Sequence, residues 1–441
     1  MSTPRSGPDT LDRAAAGTAR RRPLRCAFLV QGDGRGHQTQ AIALAEKLAA
    51  AGHEVVQVFA ARSRRRPLPD FFASAVGAAV RERAGLETIT DRFDRRVSPL
   101  RTLTHNLARA PWYTLTGLAM LARLRALAPD LIVNFFDTLG GIALRLPGAP
   151  HRIVCVGHHY LMEHPAFRFP APVAPGELAF LRTYASWSRP RRAWRMALAF
   201  GPPGVSGPKR ARDAGSPGGH ARAAKGGMHA PGSGAAHPDG APEPPHRTPA
   251  SRLRVTPPLL RSAVLHHAVS DGGHLLIYVL NAGYVRDVAA WHRTRRDVEV
   301  HLFRNAPGAQ AVERLHRNLF LHRLDDSSFL ELLAGCRAFA TTGGFESVCE
   351  AASLGKPVLT VPAGNHVEQR WNAYEAVAHG LAIRSDSFDL DALLEHAASG
   401  AGPSAEARAW LRGDALVGYP GSGVGDVHVR CVEEAAEDAA R

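Results

Sequence analysis

The chain has 441 residues, of which 45% are hydrophobic, and it carries a formal net charge of +14. This length allows two packed domains, and the charge favours an anionic partner such as nucleic acid, a membrane surface or a charged substrate. The sequence contains no zinc-finger spacing, aromatic ribonucleoprotein motif or basic-zipper repeat, so we expect no nucleic-acid partner. Five scattered cysteines, and the lack of any run of about 18 apolar residues, predict a reduced, cytoplasmic protein without a membrane span.

The N-terminal half opens with the pattern of a parallel α/β sheet. Residues 1–22 are polar, basic and aperiodic, which predicts a disordered tail. The apolar run at 24–30 leads into a glycine-rich loop, then a helix with apolar residues at helical spacing, then a second strand at 53–60. Two more apolar strands follow, and the second of them leads into His158. These elements predict a Rossmann-like domain over residues 23–200, with a ligand cleft at the carboxyl ends of its strands.

The stretch from Pro67 to Ala128 is predicted to be mostly helical. Its segment 111–127 is apolar and aromatic but carries Arg123 and Arg125. One interpretation is a helix packed into the core, and the other is an amphipathic helix that rests on a membrane. Together with the basic charge of this half, the second interpretation makes an anionic membrane surface a candidate partner.

The C-terminal half follows a change in composition. Residues 201–250 are dense in Gly, Pro and Ala with almost no large apolar side chain, which predicts a disordered insertion. A connector at 255–265 and a second strand–helix series predict another Rossmann-like domain over residues 251–405, followed by a helical tail at 406–441. The predicted fold class is α/β, with two doubly wound domains facing one another.

The most informative stretch covers residues 341–373. It predicts a strand end, a turn at Gly343 and Gly344, a helix, a second apolar strand and another helix. A glycine turn that feeds a helix presents unpaired backbone N–H groups and a partial positive charge, which suits a phosphate. Glu346 and Glu350 share one face of that helix, and an acidic side chain beside a phosphate suits ribose hydroxyls. The stretch therefore indicates half of a nucleotide-sugar site.

Together with the loop GDGRGHQTQA at 32–41, this stretch resembles GT-B glycosyltransferases, and among them the bacterial MurG-like, family 28-related group. The resemblance covers most of residues 24–200 and 253–400. It implies transfer of a sugar, an N-acetylhexosamine or a hexose, from a UDP-sugar with inversion. The acceptor is left unidentified, with a lipid-linked or cell-envelope molecule as the candidate. No cofactor beyond the donor substrate is implied, and the place of action is the cytoplasm or the inner face of the plasma membrane.

The resemblance also assigns roles by position. Glu350 is expected to bind the ribose hydroxyls, and Glu368 and Gln369 are expected to approach the donor sugar. MurG-like enzymes often carry two glutamines at this place, so Glu368 leaves the identity of the sugar open. The other donor-binding candidates are the glycines, hydroxyl residues and one asparagine of the strand-to-helix turns: Gly34, Gly36, Asn281, Thr342, Gly343, Gly344 and Ser347.

Histidine is the predicted base, because its pKa lies close to the operating pH and it can deprotonate an acceptor hydroxyl. His37 is the first candidate and His158 the second. Helix N-termini can stabilise a leaving diphosphate without a metal, and no D-x-D motif lies in a strand-end loop, so we predict no metal site. Two other functions stay open from the sequence: a non-hydrolysing UDP-sugar epimerase, and a non-catalytic protein that binds a nucleotide sugar or an anionic lipid.

Overall fold

The structure is a computed structural model that describes residues 22–32, 34–62, 67–91, 98–170, 173–202, 252–280, 282–306, 308–414 and 426–438. The predicted disordered tail, except for its last residue, and the predicted insertion, except for its first two residues, lie outside this part of the chain. Within the described ranges, no helix is long and apolar enough to cross a membrane.

The N-terminal sheet is entirely parallel across its described strands, in the spatial order 3-2-1-4-5-6-7. Its middle strands are buried on both faces and therefore read as continuous apolar runs rather than as alternating patterns. The strands are β1 (Arg25–Val30), β2 (Glu54–Arg62), β3 (Val80–Ala84), β4 (Leu131–Phe135), β5 (Ile153–Val156), β6 (Trp194–Leu198) and β7 (Leu253–Thr256). The helices are α1 (Arg35–Ala50), α2 (Phe72–Val76), α3 (Pro99–Ala108), α4 (Ala110–Leu127), α5 (Thr138–Ala143), a 3-10 helix (His158–Glu163) and α6 (Pro175–Trp187).

The C-terminal sheet has the order 10-11-9-8-12-13-14, and of these strands only the edge strand β10 is antiparallel. Its strands are β8 (Leu275–Val279), β9 (Val300–Arg304), β10 (Val312–His316), β11 (Leu319–Arg323), β12 (Ala338–Thr341), β13 (Val358–Thr360) and β14 (Ile383–Arg384). The helices are α7 (Ser262–His266), a 3-10 turn (Ala282–Tyr284), α8 (Val285–His292), α9 (Asp326–Gly335), α10 (Phe345–Ser353), α11 (Val367–Ala378), α12 (Leu390–Ala398), α13 (Ala405–Arg412) and α14 (Val427–Asp438).

These two sheets confirm the prediction of two Rossmann-like domains. In each sheet the chain lays strands first to one side and then to the other side of a starting strand, β1 in the first sheet and β8 in the second. Open α/β sheets bind ligands at the carboxyl ends of the strands where the order reverses. In this chain those ends lead into α1 on one side and into α10 on the other.

Two segments that were predicted to lie outside the N-terminal domain belong to it, one expected in the C-terminal domain and one expected as a separate helical tail. Strand β7 pairs with β6 in the N-terminal sheet, so this domain continues past the predicted boundary at residue 251. Helix α14 also returns to the N-terminal domain, where Trp194 and Arg252 both donate to Asp438 at 2.9 and 2.7 Å. The buried side chains of α14, including the fully buried Val432, provide the reason, because that apolar face needs a sheet to cover it.

Strand β3 lies in the stretch that was predicted to be mostly helical. It pairs in parallel with β2 at the edge of the sheet, where several of its side chains face solvent, and its sequence VRERA contains few apolar residues. Its Arg83 is buried in an ion pair with Asp137, which lies at the start of α5. A charged residue that is buried by a distant partner gives no local signal of a strand.

Candidate active site

A cleft of about 1360 Å³ lies between the two domains and is lined by both of them. From the N-terminal domain, the loop before α1, the 3-10 helix at 158–163 and parts of α3, α4 and α6 face it. From the C-terminal domain, the N-termini of α10 and α11 face it. The cleft therefore occupies the position that the strand order predicts for a ligand.

His37 lies in the first turn of α1 and lines the cleft. Helix α1 begins after Gly34, which is in an extended conformation and has no side chain to cap the helix. The His37 ring stacks on Phe136 with a centroid distance of 5.7 Å, and its Nδ1 lies 3.3 Å from Gln40 Oε1. The first candidate base is thus half-buried and oriented by contacts on two sides.

Gln40 reaches across the cleft to the C-terminal domain. Its Nε2 donates to Glu346 Oε1 at 2.7 Å, and both side chains are buried. Burial raises the pKa of the Glu346 carboxyl well above its usual range; Gln40 acts in the opposite direction and the nearby Glu350 adds to the rise. Gly36 permits the contact, since a Cβ at this position would lie 3.2 Å from Glu346 Cγ.

His158 also joins the two domains. Its Nδ1 lies 2.8 Å from the Leu198 carbonyl, and its Nε2 lies 3.1 Å from Glu375 Oε2 on α11. The ring is stacked between Phe345 and Trp371, at centroid distances of 4.4 and 4.5 Å. Because one nitrogen lies at a backbone carbonyl and the ring is buried against two aromatic side chains, His158 is better suited to holding the domains together than to accepting a proton from a substrate.

Glu368, at the start of α11, is surrounded by imidazoles. Its Oε2 lies 3.5 Å from His159 Nε2, and His159 in turn stacks on Phe136 at 4.2 Å. Burial alone would raise the pKa of Glu368, but His159, His366 and His37 outweigh it and hold that pKa well below its usual range. The carboxylate therefore stays ionised beside the candidate base.

The N-terminus of α10 has the geometry that the sequence predicts. Gly343 has a φ of +80°, which favours glycine, and an added Cβ would lie 3.0 Å from the Gln369 carbonyl. Gly344 is the residue before the helix and has no side chain to cap its first N–H groups. Thr342 is buried in the same turn, and the Ser347 hydroxyl donates back to the Gly344 carbonyl at 3.2 Å. The open backbone N–H groups suit an anion.

The loop before α11 is held by its own side chains. Gln369 Oε1 accepts from the Ala363 backbone at 2.9 Å, and the Asn372 amide donates to the Gly343 carbonyl at 3.1 Å. The structure thus places Gln369 next to the glycine turn, and its expected approach to a donor sugar stays a prediction. The remaining donor-binding candidate, Asn281, lies outside the described residues.

Glu350 is paired with a residue that sequence reasoning missed. The Arg261 guanidinium donates to Glu350 Oε1 at 3.0 and 2.7 Å and also contacts Asp326. Burial alone would lower the pKa of Arg261, but Glu350 and Asp326 outweigh it and leave that pKa raised. Arg261 ends the apolar connector VTPPLLR, and an arginine that closes such a buried segment was the available signal.

A comparison with protein families indicates the class of reaction that this cleft carries out. Residues 244–397 match the model described as glycosyl transferase family 1. The protein is a glycosyltransferase of the GT-B fold. No curated protein sequence matches the chain.

Solved structures support the fold of this glycosyltransferase. One is the Arabidopsis thaliana UGT89C1 complexed with quercetin, at a TM-score of 0.53 and 14% identity over 95% of this chain and 100% of that one. Another is the spinosyn forosaminyltransferase SpnP, at a TM-score of 0.51 and 14% identity over 94% and 100% of the two chains. Acinetobacter baumannii MurG matches at a TM-score of 0.42 and 14% identity over 85% and 90%, so a specifically MurG-like grouping stays a prediction.

The N-terminal side of the glycosyltransferase cleft is apolar and partly exposed. Helix α4 buries Tyr113 and Met120 and also exposes Trp112 and Leu115, so it combines the two interpretations made from the sequence. We define the apolar rim as the large hydrophobic side chains that are more than 40% exposed and also line the cleft: Leu103, Leu107, Leu118, Ile142, Leu146, Phe180 and Trp187.

Proposed function

We propose that the enzyme transfers a sugar from a UDP-sugar to a hydroxyl of a large apolar or lipid-linked acceptor, with inversion and without a metal. One observation carries the proposal. His37 from the N-terminal domain and the N-terminus of α10 from the C-terminal domain line the same cleft. A base and an anion-binding helix end on opposite walls are the two groups that displacement of a nucleotide diphosphate requires.

In this proposal the α10 N-terminus binds the donor diphosphate. Its N–H groups and the helix dipole are oriented before the reaction, so they stabilise the leaving diphosphate without reorganising. The carboxylate of Glu350 is fixed by Arg261 through Oε1, and we assign its other oxygen to the ribose hydroxyls. Glu368 and Gln369 are assigned to the sugar, since α11 starts beside the glycine turn.

His37 is assigned as the base. It removes the proton of the acceptor hydroxyl as that oxygen attacks the anomeric carbon, and the bond to the diphosphate breaks on the opposite face with inversion. The imidazolium that forms on His37 lies in the field of the ionised Glu368, which favours the charged product of the proton transfer. The displaced UDP carries away the negative charge.

The apolar rim supports the acceptor class. Leu103, Leu107 and Phe180 are 64%, 69% and 60% exposed at the mouth of the cleft, and contiguous exposed apolar surface is typical of binding sites. Leu100 and Leu115 add to the exposed apolar surface of α3 and α4, and Arg123 is also exposed on α4. We propose that these helices rest on an anionic membrane that delivers the acceptor.

The base assignment is tested with His37→Asn. We expect loss of transfer of about 100-fold or more, because a positioned base contributes roughly that much, while UDP affinity is unchanged. His151→Asn, at an exposed histidine, is the matched control. Transfer at the wild-type rate by the His37 variant would contradict the assignment of His37 as the base. Conversion of the UDP-sugar without any acceptor would indicate an epimerase, and tight UDP binding with no turnover would indicate a binding protein.

The membrane assignment is tested by co-sedimentation with phosphatidylglycerol vesicles at low salt. Leu107→Glu with Leu115→Glu should release the protein, whereas Leu315→Glu, at an exposed leucine of the C-terminal sheet, should not. Phosphatidylcholine vesicles separate the charge effect from the apolar one. Absence of wild-type binding at low salt would contradict the proposal.

A further inference from the structure

The contact between Gln40 and Glu346 joins the two domains next to the candidate base. Gln40 lies on α1 and is 3% exposed, and Glu346 lies on α10 and is 4% exposed. Gln40 Nε2 donates to Glu346 Oε1 at 2.7 Å. Glycine at position 36 favours this close approach of α1, since a Cβ there would lie 3.2 Å from Glu346 Cγ, which is closer than most Cβ contacts.

The bond to Glu346 fixes the orientation of the Gln40 side-chain amide, that is, which of its two ends faces His37. A glutamine amide has a donor end and an acceptor end, and the donor end is taken by Glu346. The acceptor end, Oε1, is therefore turned toward His37 Nδ1 at 3.3 Å. An oxygen that only accepts requires a proton on Nδ1, so the neutral ring has its basic lone pair on Nε2.

We propose that Gln40 and Glu346 are positioning residues that fix the tautomer of His37 only when the two domains are in contact. The proposal rests on the function proposed for His37 and adds a condition to it. When the domains separate, Gln40 loses the partner that orients its amide, and His37 is no longer held as the Nδ1–H tautomer. The base is then competent only in the arrangement that also brings α10 against α1.

The chemistry of Glu346 distinguishes a hydrogen-bonding role from a charge role. Glu346 Oε1 accepts the hydrogen bond from Gln40 at 2.7 Å, and this bond needs an acceptor oxygen rather than a negative charge. A glutamine at position 346 keeps such an oxygen, whereas a methionine keeps the approximate shape and removes it. The variants Glu346→Gln and Glu346→Met therefore form a matched pair.

The kinetic test uses the full chain and the donor and acceptor that support transfer. Gln40→Met and Glu346→Met should each lower kcat about 10-fold, the lower end of the range found for hydrogen-bond partners that orient metal-bound histidines, with the donor KM changed less than about 2-fold. Glu346→Gln should stay within about 3-fold of the wild type. Gln40→Met combined with Glu346→Met should be no slower than either alone, because both break the same chain of bonds.

The structural test is the ¹⁵N spectrum of the histidine rings, with the His37 signals assigned by their loss in His37→Asn. The wild type should show the Nδ1–H tautomer, and Gln40→Met and Glu346→Met should show a mixture. A wild-type ring protonated on Nε2 would overturn the proposal, even if neither variant folds. So would wild-type kcat in both methionine variants, or a Glu346→Gln variant as slow as Glu346→Met. A His37→Asn enzyme with wild-type activity would instead contradict the proposed function, because His37 would then not be the base.

Discussion

Replacing Arg261 with methionine tests the ion pair that it forms with Glu350 beside the proposed donor site. Arg261 is 2% exposed and Glu350 is 3% exposed, so neither charge is solvated. Methionine fills much of the arginine volume but leaves the Glu350 carboxylate buried without its cation, which costs about 3–5 kcal/mol. Because 1 kcal/mol shifts the melting temperature of a domain of this size by about 2–4 °C, we expect the melting temperature to fall by about 6–20 °C.

The assay is thermal and urea unfolding of the protein without ligand. Arg261→Met combined with Glu350→Gln should recover at least half of the loss, since a neutral amide no longer needs a cation. Arg337→Met is the matched control, because Arg337 lies 3.5 Å from Asp271 and the two side chains are 48% and 60% exposed. Its effect should stay within about 0.5 kcal/mol. The reasoning is refuted if Arg261→Met is within about 1 kcal/mol of the wild type, or if the double variant is as unstable as the single one.

Three other changes test the domain contact, a buried histidine and the last helix. Gly36→Ala places a Cβ 3.2 Å from Glu346 Cγ and should lower kcat more than Gly34→Ala, whose Cβ would have its nearest neighbour at 3.9 Å; equal effects would contradict this. Burial, followed by a neighbouring histidine, lowers the pKa of His322 to about 4. Its stabilising contribution is therefore complete above about pH 6.5 and is lost as the pH falls toward 4, so His322→Phe should flatten the urea-unfolding profile in that window. Val432→Ala should reduce the free energy of unfolding by about 2 kcal/mol, and an unchanged urea midpoint would show that α14 is not part of the cooperative N-terminal domain.

Much of the fold could be predicted because its strands are short apolar runs with a local boundary. The runs that became β1 and β4 are buried on both faces, so their composition alone identifies them. The turn at Gly343 could also be predicted, since a glycine turn between a strand and a helix is a local pattern. In contrast, β3 contains Arg83, whose burial depends on Asp137, and no local pattern reveals that.

The candidate site was predictable only to the extent that its residues act locally. His37 and Ser347 lie in sequence motifs, whereas Gln40 and Glu346 are 306 residues apart and Arg261 and Glu350 are 89 apart. Their pairing is decided by how the domains and the connector pack, and one sequence does not contain that information in its spacing. The helical spacing predicts that Glu346 and Glu350 share one helix face, but it contains nothing that identifies the partner of Glu346 on α1.

Three polar contacts across the cleft each pair a side-chain nitrogen of the N-terminal domain with a glutamate of the C-terminal domain. Both domains are therefore needed to form the candidate site. Nitrogens of His158, His159 and Gln40 in the N-terminal domain lie 3.1, 3.5 and 2.7 Å from carboxyl oxygens of Glu375, Glu368 and Glu346 in the C-terminal domain, and Gln40 donates a hydrogen bond to its partner. Opening the cleft would separate all three pairs at once, so the contacts favour one closed arrangement rather than a range of angles. In that arrangement Glu368 is ionised close to His37, and the amide that orients His37 is in place. The residues in contact between the domains thus include the ones that we propose to orient His37, so in this proposal closure of the cleft and preparation of the base occur together.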